Sequence, residues 1–334
     1  MRILHAPENI GGMAGVLARV QSRLGHDALS YCFASNHFKF SSDIALRKPG
    51  SFFEQSYNAF SFAMKFDIFQ FYFGSSLLGH NLKDVHWLSL LGKKIFFYFC
   101  GCDIRDEKAV IMKYPISACS NCFPKLCNAN RQLAQEIAGK YGRVNFVSTP
   151  DLLEFVERSV LLPQVVDFDL INKINEEPKP GRKPEKFVIA HAPTNRLIKG
   201  TQFLIDCVER LQKKGFNIEL LLIENMSHED ALRMYRCADL AVDQLLVGSY
   251  GLLAAELMAL GVPTITYIRE DLVDKYSEVP PLINANPFTL EENIIYFYNN
   301  RDKLVAYRES GSFYASQTHH PVRLAIKCLE YYEK

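Results

Sequence analysis

The sequence predicts an α/β protein made of two doubly wound, Rossmann-like domains. Three observations carry that reading. Short apolar runs of strand length alternate with amphipathic helical stretches from Arg2 through Ile268. Glycines punctuate the ends of those runs, at Gly11-Gly12, Gly74, Gly101 and Gly248 to Gly251. Between the two series, Pro163 to Lys186 is polar, charged and proline-rich, and it reads as a linker. The expected boundaries are residues 1–165 for the first domain, 166–185 for the linker and 186–317 for the second. A terminal helix follows at about 318–334.

A length of 334 residues suits two domains of ordinary size. Apolar residues make up 48% and charged residues 22%, the balance of a globular chain rather than a disordered one. Lys and Arg number 38 against 37 Asp and Glu, so no overall field recruits nucleic acid. The apolar start, Met1 to Pro7, is short and enters a glycine loop, unlike a signal peptide. No uncharged apolar run reaches the length that spans a bilayer. Nine cysteines, several in strand-like runs, suit a reducing compartment better than a disulfide scaffold. The expectation is a cytoplasmic protein, with contact at the inner face of a membrane left open.

In chain order, Arg2 to Ala6 reads as a strand, Asn9 to Gly12 as a turn, and Met13 to Leu24 as an amphipathic helix ended by Gly25. Ala28 to Phe33 is the next strand, completing a β–α–β opening unit. Further strands are expected at Asp67 to Phe73, Lys94 to Phe99, Val144 to Ser148 and Val160 to Leu162, with a helix around Asn81 to Leu91. Ligands of such sheets bind beyond the carboxyl ends of the strands. The positions singled out are therefore Gly11-Gly12, Gly74-Ser75, Gly101 to Arg105 and Ser148-Thr149.

Two further features stand out in the first half. Phe38, Phe40, Phe52, Phe53, Phe60 and Phe62 interleave with Lys39, Arg47, Lys48 and Lys65, a mixture that suits a membrane surface or a lipid-linked substrate as well as plain packing. Cys119, Cys122 and Cys127, with Cys102 or Cys100 upstream, have spacings that fit a structural zinc site or a set of buried thiols.

The second half repeats the pattern. Phe187 to Ala192 is a strand and Pro193 to Gly200 a loop, with a helix from Thr201 to Lys214. Ile218 to Ile223 is the next strand, and Ser227 caps a helix that opens with Glu229 and Asp230. Asp239 to Asp243 then leads into GSYGLLAAELMALGVP, residues 248–263. A strand, a glycine turn and a helix N-terminus present free amides and a positive dipole end, an arrangement suited to phosphate. Glu256 lies one helical turn further in, within reach of sugar hydroxyls. Arg196 and Lys199 lie in the loop after the first strand, where a fork and a point charge suit a diphosphate. Asn225 and His228 occupy the next strand-to-helix loop, where a base or ribose fits.

Three of these stretches, HAPTNRLIKGT (191–201), DLAVDQLLVGSYGLLAAELMALGVPTITYI (239–268) and GCDIRD (101–106), resemble the retaining nucleotide-sugar glycosyltransferases of family 4. The resemblance runs over nearly the whole chain. It implies the GT-B fold, two Rossmann-like domains facing across a cleft with the terminal helix packed back on the first. It gives Arg196 and Lys199 to the donor diphosphate, the amides of Ser249, Tyr250, Gly251 and Leu252 to its phosphates, and Glu256 to the ribose. Asn225, His228 and Gly12 join the donor side, while Gly11, Asp103 and Arg105 fall on the acceptor side, with Asp103 a catalytic candidate. The family's paired glutamates would put a first carboxylate at Gly248, where this chain has none, and the family's histidine is replaced by Cys100.

The implied chemistry is transfer with retention, from a UDP- or GDP-sugar to a glycan, lipid-linked or small acceptor, with no metal and no further cofactor. Arg196, Lys199 and the helix dipole would meet the charge growing on the departing diphosphate. Two other readings stand beside it: a GT-B epimerase or phosphorylase-like enzyme, and a non-catalytic glycosyltransferase-like partner protein.

Overall fold

The computed structural model describes residues 1–33, 40–46, 52–122, 127, 130–179, 181 and 185–334, the side chains of Leu46 and Phe52 excepted. Among these, twelve strands form two parallel sheets, as the alternating pattern predicted. The first contains β1 (Arg2–Ala6), β2 (Asp27–Phe33), β3 (Ile44–Leu46), β4 (Ile68–Tyr72), β5 (Lys94–Phe99), β6 (Asn145–Val147) and β7 (Ser159–Leu161), in the order β3-β2-β1-β4-β5-β6-β7. The second contains β8 (Phe187–His191), β9 (Ile218–Leu222), β10 (Leu240–Val242), β11 (Thr264–Thr266) and β12 (Ile283–Asn284), in the order β12-β11-β10-β8-β9.

The chain divides into two compact units. One comprises Met1–Asp106, Leu126–Asp167 and His320–Lys334, and the other Glu107–Lys125 and Phe168–His319. Two details differ from the expected boundaries. Residues 107–125 group with the second sheet, where the Ala118 amide donates to the Leu246 carbonyl at 2.9 Å. The proline-rich stretch is not an unstructured linker either. It carries the helix Phe168–Glu176, whose Ile171 and Ile174 are buried, and Val165 and Val166 just before it are buried too. Polar composition hid four apolar side chains at positions that face inward.

In the first unit, β4 and β5 read as apolar runs, Gln70 apart, because both of their faces are covered. The terminal helix Pro321–Glu333 covers one of them, its Leu324, Ala325, Cys328 and Tyr332 joining Ile3, Leu17 and Phe96 in one cluster. Pro321 starts this helix where a missing N–H costs nothing. A buried polar relay ties it to the sheet. The Tyr332 hydroxyl donates to Gln70 Oε1, and Gln70 Nε2 donates to the Tyr72 hydroxyl at 2.6 Å. That hydroxyl lies 2.8 Å from His5 Nδ1, and His5 Nε2 donates to Gln21 Oε1 at 2.7 Å. Burial holds His5 neutral, its pKa lowered to about 4.

Of the aromatic and basic residues, Phe38, Lys39, Arg47 and Lys48 lie outside the described residues. Phe62 packs on Tyr31 with ring centroids 4.8 Å apart. Phe53 and Phe60 are exposed on the helix Phe52–Lys65, in line with exposed Tyr57 and Met64. Among the described residues, no helix is long and apolar enough to cross a membrane.

Removing one hydroxyl isolates the relay. Tyr332→Phe leaves Gln70 Oε1 without its donor inside the core, and it is expected to lower stability by about 1–3 kcal/mol in denaturant unfolding.

Candidate functional site

The residues that the sequence singled out in the second half come together beyond the carboxyl ends of β8, β9 and β10. His191 ends β8 and is buried. Its Nδ1 donates to the Val242 carbonyl at 2.7 Å, and its Nε2 accepts from the Thr201 hydroxyl at 2.8 Å. This one ring ties β8, β10 and the start of the helix Thr201–Lys213 together. Burial lowers its pKa to about 4, so it serves as a neutral strut.

The segment after β8 is not a loop throughout. Asn195 Oδ1 accepts from the Leu197 and Ile198 amides at 3.0 and 3.1 Å, capping one short helical turn, Arg196–Lys199. The turn points its two cations at different partners. Arg196 forks onto Glu224, with Nε 2.8 Å from Oε1, and its side chain is 54% exposed. Lys199, 12% exposed, places Nζ 2.5 Å from Asp243 Oδ1 and 2.8 Å from Gln244 Oε1.

Asp243 organises the glycine turn. Its side chain is fully buried just past β10, and its Oδ2 accepts from the Gly251 amide at 3.2 Å. Gln244 Nε2 donates to the Ser249 carbonyl. The expected phosphate turn is therefore already folded around a carboxylate of the chain. Ser249 is buried and acts through its carbonyl, Gly251 through an amide held by Asp243, and Leu252 begins the helix Leu252–Ala259. The Tyr250 side chain turns inward. Its ring stacks on Tyr276 with centroids 5.3 Å apart, and its hydroxyl lies 3.0 Å from His319 Nε2.

Glu256 and His228, assigned separately from the sequence, form one pair, with His228 Nε2 2.7 Å from Glu256 Oε1. His228 opens the helix His228–Tyr235, capped by Ser227, whose Oγ accepts from the Asp230 amide at 3.2 Å. Asn225 sits in the preceding loop with φ of 58°, an angle that asparagine tolerates better than most residues.

The space beside Gly248 is filled. Gly248 has φ of 85°, and a Cβ built there would lie 2.5 Å from Arg269 Cγ. Arg269 is itself buried, its Nε donating to Asp271 Oδ1 at 2.9 Å and its guanidinium lying 3.5 Å from the Tyr114 ring centroid. Where the family resemblance puts a carboxylate, this chain packs a cation's stem.

The first-unit candidates are engaged within the chain. Gly11 and Gly12 have positive φ, 59° and 77°, but their turn is covered by the chain itself. Phe40 lies where a Cβ on Gly12 would come within 3.0 Å, and Asn9 Nδ2 donates to the Ser41 carbonyl at 2.8 Å. Asp103 is fully buried and accepts from the Gly101 amide at 2.6 Å and the Cys100 amide at 3.1 Å. It closes its own turn, and burial pushes its pKa up to about 6. Arg105 is buried with both Nε and Nη2 on Asp151 Oδ2, at 3.0 and 2.7 Å. Asp103 thus holds backbone and Arg105 a buried carboxylate. Among the described residues, no three His, Cys, Asp or Glu side chains converge as a metal site, the zinc site being one of the two readings of Cys102, Cys119, Cys122 and Cys127. Cys119 instead lies on the short helix Ala118–Asn121.

Sequence reasoning missed Asp243, Gln244, Glu224, His191 and Arg269. Asp243-Gln244 did carry a signal, two polar residues between an apolar strand and a glycine turn.

No family model and no curated protein matches the chain. Solved structures do match over its full length. Anabaena HepE in complex with UDP and glucose is 12% identical, covering 100% of this chain and 99% of that one, with a TM-score of 0.66. A trehalose-6-phosphate synthase studied for glycosyltransfer with retention is 10% identical over 100% and 99%, at 0.63. A putative UDP-N-acetylglucosamine 2-epimerase from Listeria monocytogenes is 14% identical over 99% and 95%, at 0.58. These likenesses bear out the fold class, two Rossmann-like units of the GT-B type.

Two substitutions probe the supports of this site. Gly248→Glu combines a left-handed backbone angle with overlap on Arg269, and a loss of about 1–3 kcal/mol is expected in denaturant unfolding. Adding Arg269→Ala removes the overlap but not the angle, so it restores only part. For His191, the unfolded side chain takes up its proton near pH 6.5 and the folded one only near pH 4. Stability is therefore lost as pH falls through that window, by about 3 kcal/mol for this residue. His191→Gln is expected to make the unfolding free energy less pH-dependent there, by up to one proton.

Proposed function

We propose that the chain transfers a sugar, with retention, from a nucleoside diphosphate sugar to an acceptor. The observation that carries this reading is the convergence of Arg196, Lys199, the Asp243-Gln244 turn and the His228–Glu256 pair beyond one end of the second sheet. Ligands of doubly wound sheets bind at that end. HepE, similar in fold, holds UDP and glucose, which favours a uridine nucleotide here.

In this reading the two cations play different parts. The Arg196–Glu224 pair is exposed, so water screens its attraction and an incoming diphosphate displaces Glu224 readily. Lys199 keeps its buried partner Asp243 and supplies a fixed charge beside the turn. As the bond from sugar to diphosphate breaks, both cations and the positive end of the helix Leu252–Ala259 stabilise the leaving group without a divalent metal. A phosphate oxygen of that leaving group takes the acceptor's proton on the same face. Glu256, oriented by His228, accepts the ribose hydroxyls. The exposed Phe53, Tyr57, Phe60 and Met64 on one helix support a lipid-linked acceptor.

Titration with UDP, GDP and ADP tests the donor site. One of them is expected to raise the melting temperature, and no shift with any of them would remove the reading. Arg196→Ala or Lys199→Ala is expected to lower transfer about 10²–10³-fold. NMR of the product fixes the anomeric outcome, turnover in EDTA tests metal independence, and donor converted without acceptor would point to an epimerase.

A further inference from the structure

A polar cavity lies in the same unit, at the opposite end of β10. It has a volume of about 190 Å³ and is lined by Asn175, Lys179, Arg236, Leu260, Gly261 and Arg308, among others. Ala238 and Val262, which precede β10 and β11, also border it, so it opens at the amino edge of the sheet. Asp243 and Gly248 lie beyond the other edge. The helix Leu252–Ala259 separates the two places, a length of about 12 Å at 1.5 Å per residue.

Three cations line this cavity, and two of them have unspent donors. Arg236 uses Nη2 to cap the helix Phe168–Glu176, donating to the Glu177 carbonyl at 2.6 Å, while its Nη1 is buried with no hydrogen-bond partner among the described residues. Arg308 Nε is likewise buried and unpartnered. Folded proteins leave few buried donors unsatisfied, and donors on charged groups are the costliest to leave so. The acid nearest in sequence to Lys179, Glu177, is committed to Arg233 at 2.8 Å. No carboxylate is among the residues lining the cavity. The volume equals about six times the share of one water in the liquid, room for a phosphoryl group and a few carbon atoms.

We propose that this cavity is a second anion site, which binds the phosphoryl group of a small phosphorylated metabolite or inorganic phosphate between Arg236 and Arg308. A guanidinium fork takes two oxygens of a carboxylate or a phosphoryl group alike, but the three oxygens and higher charge of a phosphoryl group suit two guanidiniums at once, and Lys179 adds charge at the rim. The assignment is independent of the donor-site reading.

The test is calorimetric titration of the full chain with inorganic phosphate, repeated on Lys199→Met to remove the cation of the donor turn. Phosphate binding is expected to survive Lys199→Met with less than a twofold change in Kd. Arg308→Met is expected to weaken it at least tenfold, and Arg308→Lys to recover part of it. Arg308 caps no helix, so its variant reports on binding even if Arg236→Met unfolds. Unchanged binding in Arg308→Met, or no binding in Lys199→Met, would overturn the site. Acetate at matched concentration is expected not to displace phosphate, and displacement by it would overturn the phosphoryl assignment. A glucose 6-phosphate arm that binds no better than phosphate assigns the site to the free ion, and tighter binding assigns it to a phosphorylated metabolite.

Discussion

The candidate site depends on one buried carboxylate. Asp243 has no access to solvent, and it holds both Lys199 and the Gly251 amide. Through it, the short turn Arg196–Lys199 and the glycine turn after β10 share one buried anionic partner. A buried charge is tolerated only when it is paired and hydrogen-bonded, and each partner of Asp243 meets part of that requirement. Gln244 completes the arrangement by bridging Lys199 and the Ser249 carbonyl.

That arrangement divides the site into fixed and yielding parts. Lys199, Asp243, His191 and Thr201 are buried or nearly so, and their hydrogen bonds set the backbone. Arg196 and Glu224 are the yielding pair, because water screens their attraction and either side chain can turn away. One charge is therefore fixed in place and the other able to reorient. Arg269 works by volume as much as by charge, since its stem occupies the space over Gly248 and its guanidinium rests on Tyr114.

The first unit solves a different problem. Its central strands are apolar on both faces except for Gln70, a polar residue that a buried parallel strand has to satisfy. The partners come from far along the chain, Tyr332 on one side and the Tyr72–His5 pair on the other. The relay gives the terminal helix a polar lock in addition to its apolar face. In the same unit, Asp103 and Arg105 spend their charge on neighbouring backbone and on Asp151.

Much of the fold was legible in the sequence. Apolar runs such as KIFFYF and FVIAH, each bounded by turn residues, announce buried parallel strands, and their shortness and aromatic or β-branched content separate them from the helices between. The helix Phe168–Glu176 was not legible, because its two buried isoleucines sit in a polar, proline-flanked context. At the site, residue types and spacing were enough to single out Arg196, Lys199, His228 and Glu256. Which charges they face was decided by the tertiary structure. Asp243 is 44 residues from Lys199 and Glu256 is 28 from His228, separations at which only the packing of strands and helices chooses a partner. Local sequence determines what a side chain can offer, while burial and the arrangement of distant backbone determine where that offer is taken up.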